Sequence, residues 1–363
     1  MKKRFLSYGL LSAALLLAAC GDTEETPEET GTEDAVEQPA DEEGTTDEVV
    51  ESTDAVIKVA YTAPHGDKAF ASTFVVMNGD VVHDVIIDEF QFMEGDEWTG
   101  VPNADKTFGE KYAEESTLIS KRENSEGYSA RMTEVAESTV SYNDNMDAIQ
   151  DFAIGKTVEE IEAAIADLGD LGDDGEIADV VSGATFVDTS GYLQSVVDTI
   201  NDGMEFAGVT EADLTNTELS YSLQAPHGEQ SFALVAVLHD GDNVLAAAMD
   251  ELQFVDPADF DGVPNSDAGF GESFNEDVVL ASKMFNDDAY SAMMTNIAEA
   301  TLAYSESMLA ITDHSAGSTT EEIESTVSDL ENLEEDGAIT DVVSGSTFVD
   351  TAGYLQAIVD TLK

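Results

Sequence analysis

Asp179-Val180-Val181-Ser182-Gly183-Ala184-Thr185 and, 162 residues further on, Asp341-Val342-Val343-Ser344-Gly345-Ser346-Thr347 are one heptapeptide written twice, with Ala184 against Ser346 as the sole difference. The spacing is not confined to this pair. Ala63-Pro64-His65-Gly66 returns as Ala225-Pro226-His227-Gly228, and Gly100-Val101-Pro102-Asn103 as Gly262-Val263-Pro264-Asn265. Phe108-Gly109-Glu110 and Tyr128-Ser129-Ala130 return as Phe270-Gly271-Glu272 and Tyr290-Ser291-Ala292. One offset serves every landmark, so nothing has been inserted or lost between them. A two-unit repeat of this length is a duplicated globular domain and not a solenoid. The expected organisation is a first domain at 56–203, a junction at 204–217 and a second domain at 218–363.

Outward from the heptapeptide, each copy opens with strand patterns. Phe70 to Met77 runs into Asn78-Gly79 and returns as Val81 to Phe92; Phe232 to Leu238 runs into Asp240-Gly241. Asn-Gly and Asp-Gly supply the positive φ angles of a tight hairpin turn. The second arm of the second hairpin, Val244 to Met249, is alanine-rich and reads less clearly as strand. The middle of the copy has helical spacing: Met132, Val135, Ala136, Thr139, Val140, Met146 and Ile149 lie on one stripe from Ser129 to Phe152. Thr157 with Glu160, and Thr319 with Glu322, are capping boxes that open a further helix. A last helix covers about Gly191–Ile200 and Gly353–Leu362. Hairpin first and helices after give an α+β fold, with each copy an antiparallel hairpin or sheet plus helices.

The N-terminus reads as an address. Lys2, Lys3 and Arg4 precede an apolar stretch from Phe5 to Ala19, which ends at Cys20, the one cysteine of the chain. Residues 1–19 resemble a bacterial lipoprotein signal peptide, which makes Cys20 the lipidation site and two acyl chains the membrane anchor. Residues 20–55 follow as an acidic tether. Fifteen Asp or Glu and no Lys or Arg stand between Gly21 and Asp54, too little apolar matter to offset the entropy of ordering. Such a leash reaches roughly 30 Å.

Composition excludes several functions. With Cys20 lipidated there is no thiol left for disulfides, zinc–cysteine sites, iron–sulfur clusters or nucleophilic catalysis. The net charge is −65, and loss of the three basic leader residues takes it to about −68. A surface of that sign repels phosphate backbones, which excludes nucleic-acid partners.

The two heptapeptides resemble the D-x-x-S-G-A/S-T motif of the FMN-binding domain family. In that family a flavin transferase joins FMN to the motif threonine through a phosphoester. The resemblance makes Thr185 and Thr347 the acceptors of two covalent FMN groups. It makes Asp179, Ser182, Gly183 and Ala184, with Asp341, Ser344, Gly345 and Ser346, the flanking motif positions. Glycine beside the acceptor lets backbone amides approach a phosphate, and the following helix offers its positive end. Members often carry a second Ser or Thr two residues past the acceptor, where this chain has Val187 and Val349. The upstream Asp would either position the acceptor hydroxyl or hold the transferase's metal ion. His65, His227, Phe186 and Phe348 are weaker candidates for contact with the flavin.

A lipidated leash followed by two such domains is similar to the flavinylated lipoproteins of Gram-positive extracellular electron transfer, some of whose leaders also yield a peptide pheromone. The resemblance implies a membrane-anchored extracytoplasmic electron carrier, more a redox carrier than a complete enzyme. Its donor would be a membrane quinone-linked redox partner and its acceptors ferric iron or similar oxidants. The rival from another class is a solute-binding lipoprotein of a transporter; duplication of one domain at constant length speaks against the two unlike lobes such proteins use.

Overall fold

The computed structural model describes residues 53–113, 115–172, 175–334 and 337–363. The leader, Cys20 and most of the acidic tether lie outside the described residues. The described residues belong to one compact unit, and within it the chain is α+β, with two antiparallel sheets and eight α-helices among the described residues.

The first sheet is built from β1 (Val56–Thr62), β2 (Ala69–Asn78), β3 (Val81–Glu94) and β4 (Ser116–Ser120). Helices α1 (Ser125–Ala136), α2 (Tyr142–Ala153), α3 (Val158–Gly169) and α4 (Thr189–Asp202) follow. Strand β5 (Met204–Ala207) then returns to the first sheet beside β1, giving the order β4-β3-β2-β1-β5. The second sheet has the order β6 (Glu218–Gln224), β7 (Ser231–Asp240), β8 (Asn243–Val255), β9 (Val279–Ser282). Its helices are α5 (Asp287–Ala298), α6 (Tyr304–Ser315), α7 (Thr320–Glu331) and α8 (Thr351–Thr361). The element order after β5 thus repeats the one before it.

Local chemistry explains most boundaries. Gly79 and Gly241 turn the two long hairpins at φ +63° and +61°. Thr157 and Thr319 accept from the backbone N–H of Glu160 and Glu322, whose carboxylates reach back to the threonine N–H, so both capping boxes form. The single helix expected from Ser129 to Phe152 is two helices. Glu137 takes φ +54° and ends α1; Ser141 accepts from the Asp144 N–H and starts α2. The alanine-rich arm is strand all the same. Ala246, Ala247 and Ala248 are fully enclosed, because β8 is covered on both faces and small side chains are what such a strand admits.

Side chains alternate across a strand, and here the alternation divides labour. Along β2, Phe70 and Phe74 face the second sheet, while Ala71 and Val75 face α2 and α4. The aromatic layer between the sheets is continuous: Phe90 lies 5.9 Å from Phe232, Phe70 5.1 Å from Phe270, and Phe108 5.3 Å from Phe232. At about 1.5–3 kcal/mol for each fully buried large apolar side chain, this layer is a main source of cohesion. The stretch 204–217, read as a junction, is part of it, with Phe206 fully buried and Ala212 and Leu214 nearly so.

The landmarks that recur in the sequence meet across the sheets. The Asn103 amide donates to the carbonyls of Gly228 and Ser231 at 2.9 and 2.8 Å. Asn265 donates to those of Gly66 and Ala69 at 3.0 and 2.7 Å. Phe108 N–H donates to Glu229 and Phe270 N–H to Asp67. Each Val-Pro-Asn segment therefore holds the Pro-His-Gly loop of the opposite half.

Asp88 and Asp250 also lie on the face between the sheets, and each accepts a tyrosine hydroxyl from the other half, Tyr221 at 3.2 Å and Tyr61 at 2.8 Å. Burial pushes both carboxyls up to about 6, against the pull of these and other donors. A folded-state pKa above the ordinary 3.8 means that the folded chain binds protons more tightly, so stability falls as pH rises from about 4 through 6. We expect thermal unfolding to occur at a higher temperature at pH 5 than at pH 7, in about 1 M salt to screen the general self-repulsion. The Asp88→Asn, Asp250→Asn double variant should lose the part of that slope below about pH 6, while Glu123, which burial pushes up to about 7, keeps the rest. An unchanged slope would exclude these two groups as its source.

Candidate functional site

Two cavities of the same construction stand one in each half. The first, about 410 Å³, is bounded by His65, Tyr128, Tyr142, Thr185, Phe186 and Tyr192 among others. The second, about 300 Å³, is bounded by His227, Tyr290, Tyr304, Thr347, Phe348 and Tyr354. Both volumes lie in the range of small-molecule sites. Each threonine read from the heptapeptide therefore lines a cavity, and each is exposed at its rim.

The loop carrying the threonine is shaped by its glycine and by α2 or α6 beneath it. Gly183 and Gly345 both have φ +93°, where a Cβ would also stand 3.1 or 3.0 Å from the methyl of Ala148 or Ala310. Ala184 and Ser346 point inward and are fully buried; the Ser346 hydroxyl lies 2.8 Å from that of Thr351. Thr185 donates through its N–H and its hydroxyl to Asn145 Oδ1, at 2.6 and 3.0 Å. In the second half Ser307 takes that place, at 3.4 and 3.3 Å from the Thr347 nitrogen and hydroxyl. Asp179 makes another contact: its carboxylate accepts from the Glu176 N–H, closing a short 3-10 turn. Asp179, Ser182, Asp341 and Ser344 are exposed on the outside of the loop, and Thr185 is held by Asn145.

Helix α4 begins at Thr189, four residues past the acceptor, and passes close to the histidine loop. Gly191 permits this, since a Cβ there would meet the Pro64 carbonyl oxygen at 2.4 Å; Gly353 does the same against Pro226 at 2.6 Å. The approach places His65 between two carboxylates, with Nδ1 3.2 Å from Glu89 and Nε2 3.8 Å from Asp188. His227 stands likewise 3.6 Å from Glu251 and 3.8 Å from Asp350.

Behind each cavity lies a buried ion pair. Glu89 and Glu251 follow Asp88 and Asp250 in the strand and so face the opposite way, into the site. Lys121 Nζ is 2.8 Å from Glu89, and Lys283 Nζ 2.6 Å from Glu251. Tyr192 donates to Glu89 at 2.6 Å. Glu251 receives Tyr354 at 2.8 Å, Tyr304 at 3.1 Å and Ser231 at 3.0 Å. Burial alone would raise both carboxyls. The lysine charge and the histidine and lysine hydrogen bonds outweigh it, holding Glu89 below the usual range and Glu251 down to about 2. Burial lowers the lysines and the glutamates more than reverse it. Lys121 lies 4.7 Å from the Tyr128 ring centre and Lys283 5.0 Å from that of Tyr290, a cation–π arrangement that orients both side chains.

The walls are aromatic. Phe186 lies 5.7 Å from Tyr142 and 6.1 Å from Tyr192; Phe348 lies 5.2 Å from Tyr304 and 5.7 Å from Tyr354. Chemically, each site offers a hydroxyl at its rim, flat apolar walls suited to a planar ring, and fixed cationic and acidic groups at its base. No group of His, Cys, Asp or Glu suited to a metal ion is present among the described residues.

Sequence reasoning reached the threonines, histidines and phenylalanines of these cavities but not the ion pairs, the tyrosines or Asn145. A signal existed. Among the 13 Lys and Arg of this acidic chain, Lys121 and Lys283 alone recur at the 162-residue spacing, and Glu89 with Glu251, Tyr142 with Tyr304 and Tyr192 with Tyr354 recur beside them. No helix of the described residues is long and apolar enough to cross a membrane. Comparison with protein-family models, with curated proteins and with solved structures finds no match.

Proposed function

We propose that the halves are two copies of one FMN-binding domain, that Thr185 and Thr347 each carry FMN through a phosphoester, and that the protein is an electron carrier tethered to the outer face of a membrane through Cys20. The observation that carries this reading is the position of the two motif threonines. Each has its hydroxyl at the rim of an aromatic cavity of the same construction, where a phosphate joined to it leaves the ring system within reach of the walls.

In that role, bound flavin supplies exchange between two-electron and one-electron partners. The chain's own residues hold and surround it. Phe186, Tyr142 and Tyr192, with Phe348, Tyr304 and Tyr354, form flat walls. Lys121 with Glu89, and Lys283 with Glu251, keep fixed charges at the base without net charge. The Gly183 and Gly345 turns keep the acceptor loop open to a modifying enzyme. The exposed Val187 and Val349, 84 and 86 % accessible, leave the rim uncovered, as exchange with outside partners requires. A quinone-linked donor in the membrane and ferric iron or a similar oxidant outside are the partners this reading implies.

Intact-mass measurement of chain co-expressed with a flavin transferase tests it. Two additions of FMN less water are expected, and they should survive denaturation. A mass accounted for by amino acids and lipid alone would overturn the proposal. A colourless preparation releasing a tightly held small molecule would favour a solute-binding lipoprotein.

A further inference from the structure

The two acceptors are presented differently, and the difference lies in one side chain of the supporting helix. Asn145 is fully enclosed. Its amide nitrogen is committed to the carbonyls of Ser141, at 2.9 Å, and Val140, at 3.4 Å. This fixes which way the carboxamide faces, and Oδ1 is left to accept both the N–H and the hydroxyl of Thr185, at 2.6 and 3.0 Å. A two-point hold of this kind sets the backbone of the acceptor loop and the rotamer of the acceptor together. Ser307 has a shorter side chain and no amide to lock it, and its oxygen lies 3.4 and 3.3 Å from the same two groups of Thr347. The loop and the Thr347 oxygen are correspondingly less constrained.

We infer that Asn145 is a positioning residue for modification of Thr185, and that Thr347, lacking its counterpart, is modified more slowly. The inference rests on the phosphoester reading. In that step the threonine oxygen attacks phosphorus in the pyrophosphate of a flavin dinucleotide. The O–P bond forms, the anhydride P–O bond breaks, and the nucleoside monophosphate leaves. The hydroxyl proton passes to a base of the transferase. Asn145 takes no proton; it reduces the number of conformations from which the oxygen must be gathered.

The experiment follows both sites in one molecule. Unmodified chain is mixed with purified flavin transferase and a flavin dinucleotide, and peptide masses report the rate at each threonine. Thr185 should be modified roughly threefold to tenfold faster than Thr347, the factor commanded by a hydrogen bond of ordinary net strength. Asn145→Ser should bring Thr185 to about the Thr347 rate, and the unchanged Thr347 rate in the same chain controls for folding and for the enzyme. Ser307→Asn should raise the Thr347 rate. Because Ser307 is enclosed, the pair Ser307→Asn, Ser346→Ala, which copies the first half at both positions, is the second form of that test. Equal rates in the parent chain, or an Asn145→Ser rate at Thr185 that does not change, would overturn the inference and leave the flavin assignment standing. No flavin on either threonine in any variant would remove both.

Discussion

Glu251→Gln should unfold with about 3–5 kcal/mol less stability than the parent chain, the loss that follows when one partner of a buried ion pair is removed. Glu251 is fully buried and gathers a lysine, two tyrosine hydroxyls and a serine hydroxyl. The amide has no charge to offset that of Lys283 and presents hydrogens where the carboxylate accepted. Two comparisons make the origin legible. Glu251→Gln combined with Lys283→Met removes the stranded charge and should recover the part of the loss that it causes, leaving the part due to the amide's hydrogens. Glu89→Gln should cost less, because Tyr304 donates to Glu251 while the Tyr142 hydroxyl, its counterpart, has no such partner. The sign with pH is also set. Glu251 is held at about 2, below its ordinary 4.5, so its contribution is complete above about pH 4.5 and is lost as pH falls toward 2. Urea denaturation at pH 7 and pH 3 measures all of this; a loss under about 1 kcal/mol at pH 7 would show that the pair does not hold the base of the second cavity.

Thr185→Ala and Thr347→Ala should each remove one flavin, and together all of it. The proposal puts the only covalent link at these oxygens, so the effect is all or none at each site. Both threonines are exposed, so the fold should survive, with a stability change within about 1 kcal/mol. Thr→Ser keeps a hydroxyl and should retain modification, which separates loss of the acceptor from damage to the loop. In the single variants, the electrons taken up per chain on reduction should fall by half. Full flavin stoichiometry in the double alanine variant, read by mass after denaturation, would place the attachment elsewhere and end the assignment.

Much of the architecture was legible before any coordinate. Asn78-Gly79 and Asp240-Gly241 named their own hairpins, and both capping boxes stand where Thr157 and Thr319 put them. These are local devices: a positive φ, or a side chain satisfying a backbone N–H three residues on, needs no partner from elsewhere. The break between α1 and α2 was hidden because Glu137, not glycine, occupies the left-handed position, although Ser141 followed by Asp144 was a readable start signal. Strand β5 was hidden for another reason. Four residues of Met204–Ala207 carry little pattern of their own and become strand through pairing with β1.

The division at the candidate sites follows the same physics. The chain order announces which residues recur and which threonine follows which glycine, because spacing along a polymer is read without folding it. It does not announce that Asn265 of one half secures the loop bearing His65 of the other, or that Glu89 and Lys121, 32 residues apart, meet in the dark behind the first cavity. Those are encounters between distant segments, set by how two sheets pack and by which face of a strand each side chain takes. Only the assembled core brings them within hydrogen-bonding distance.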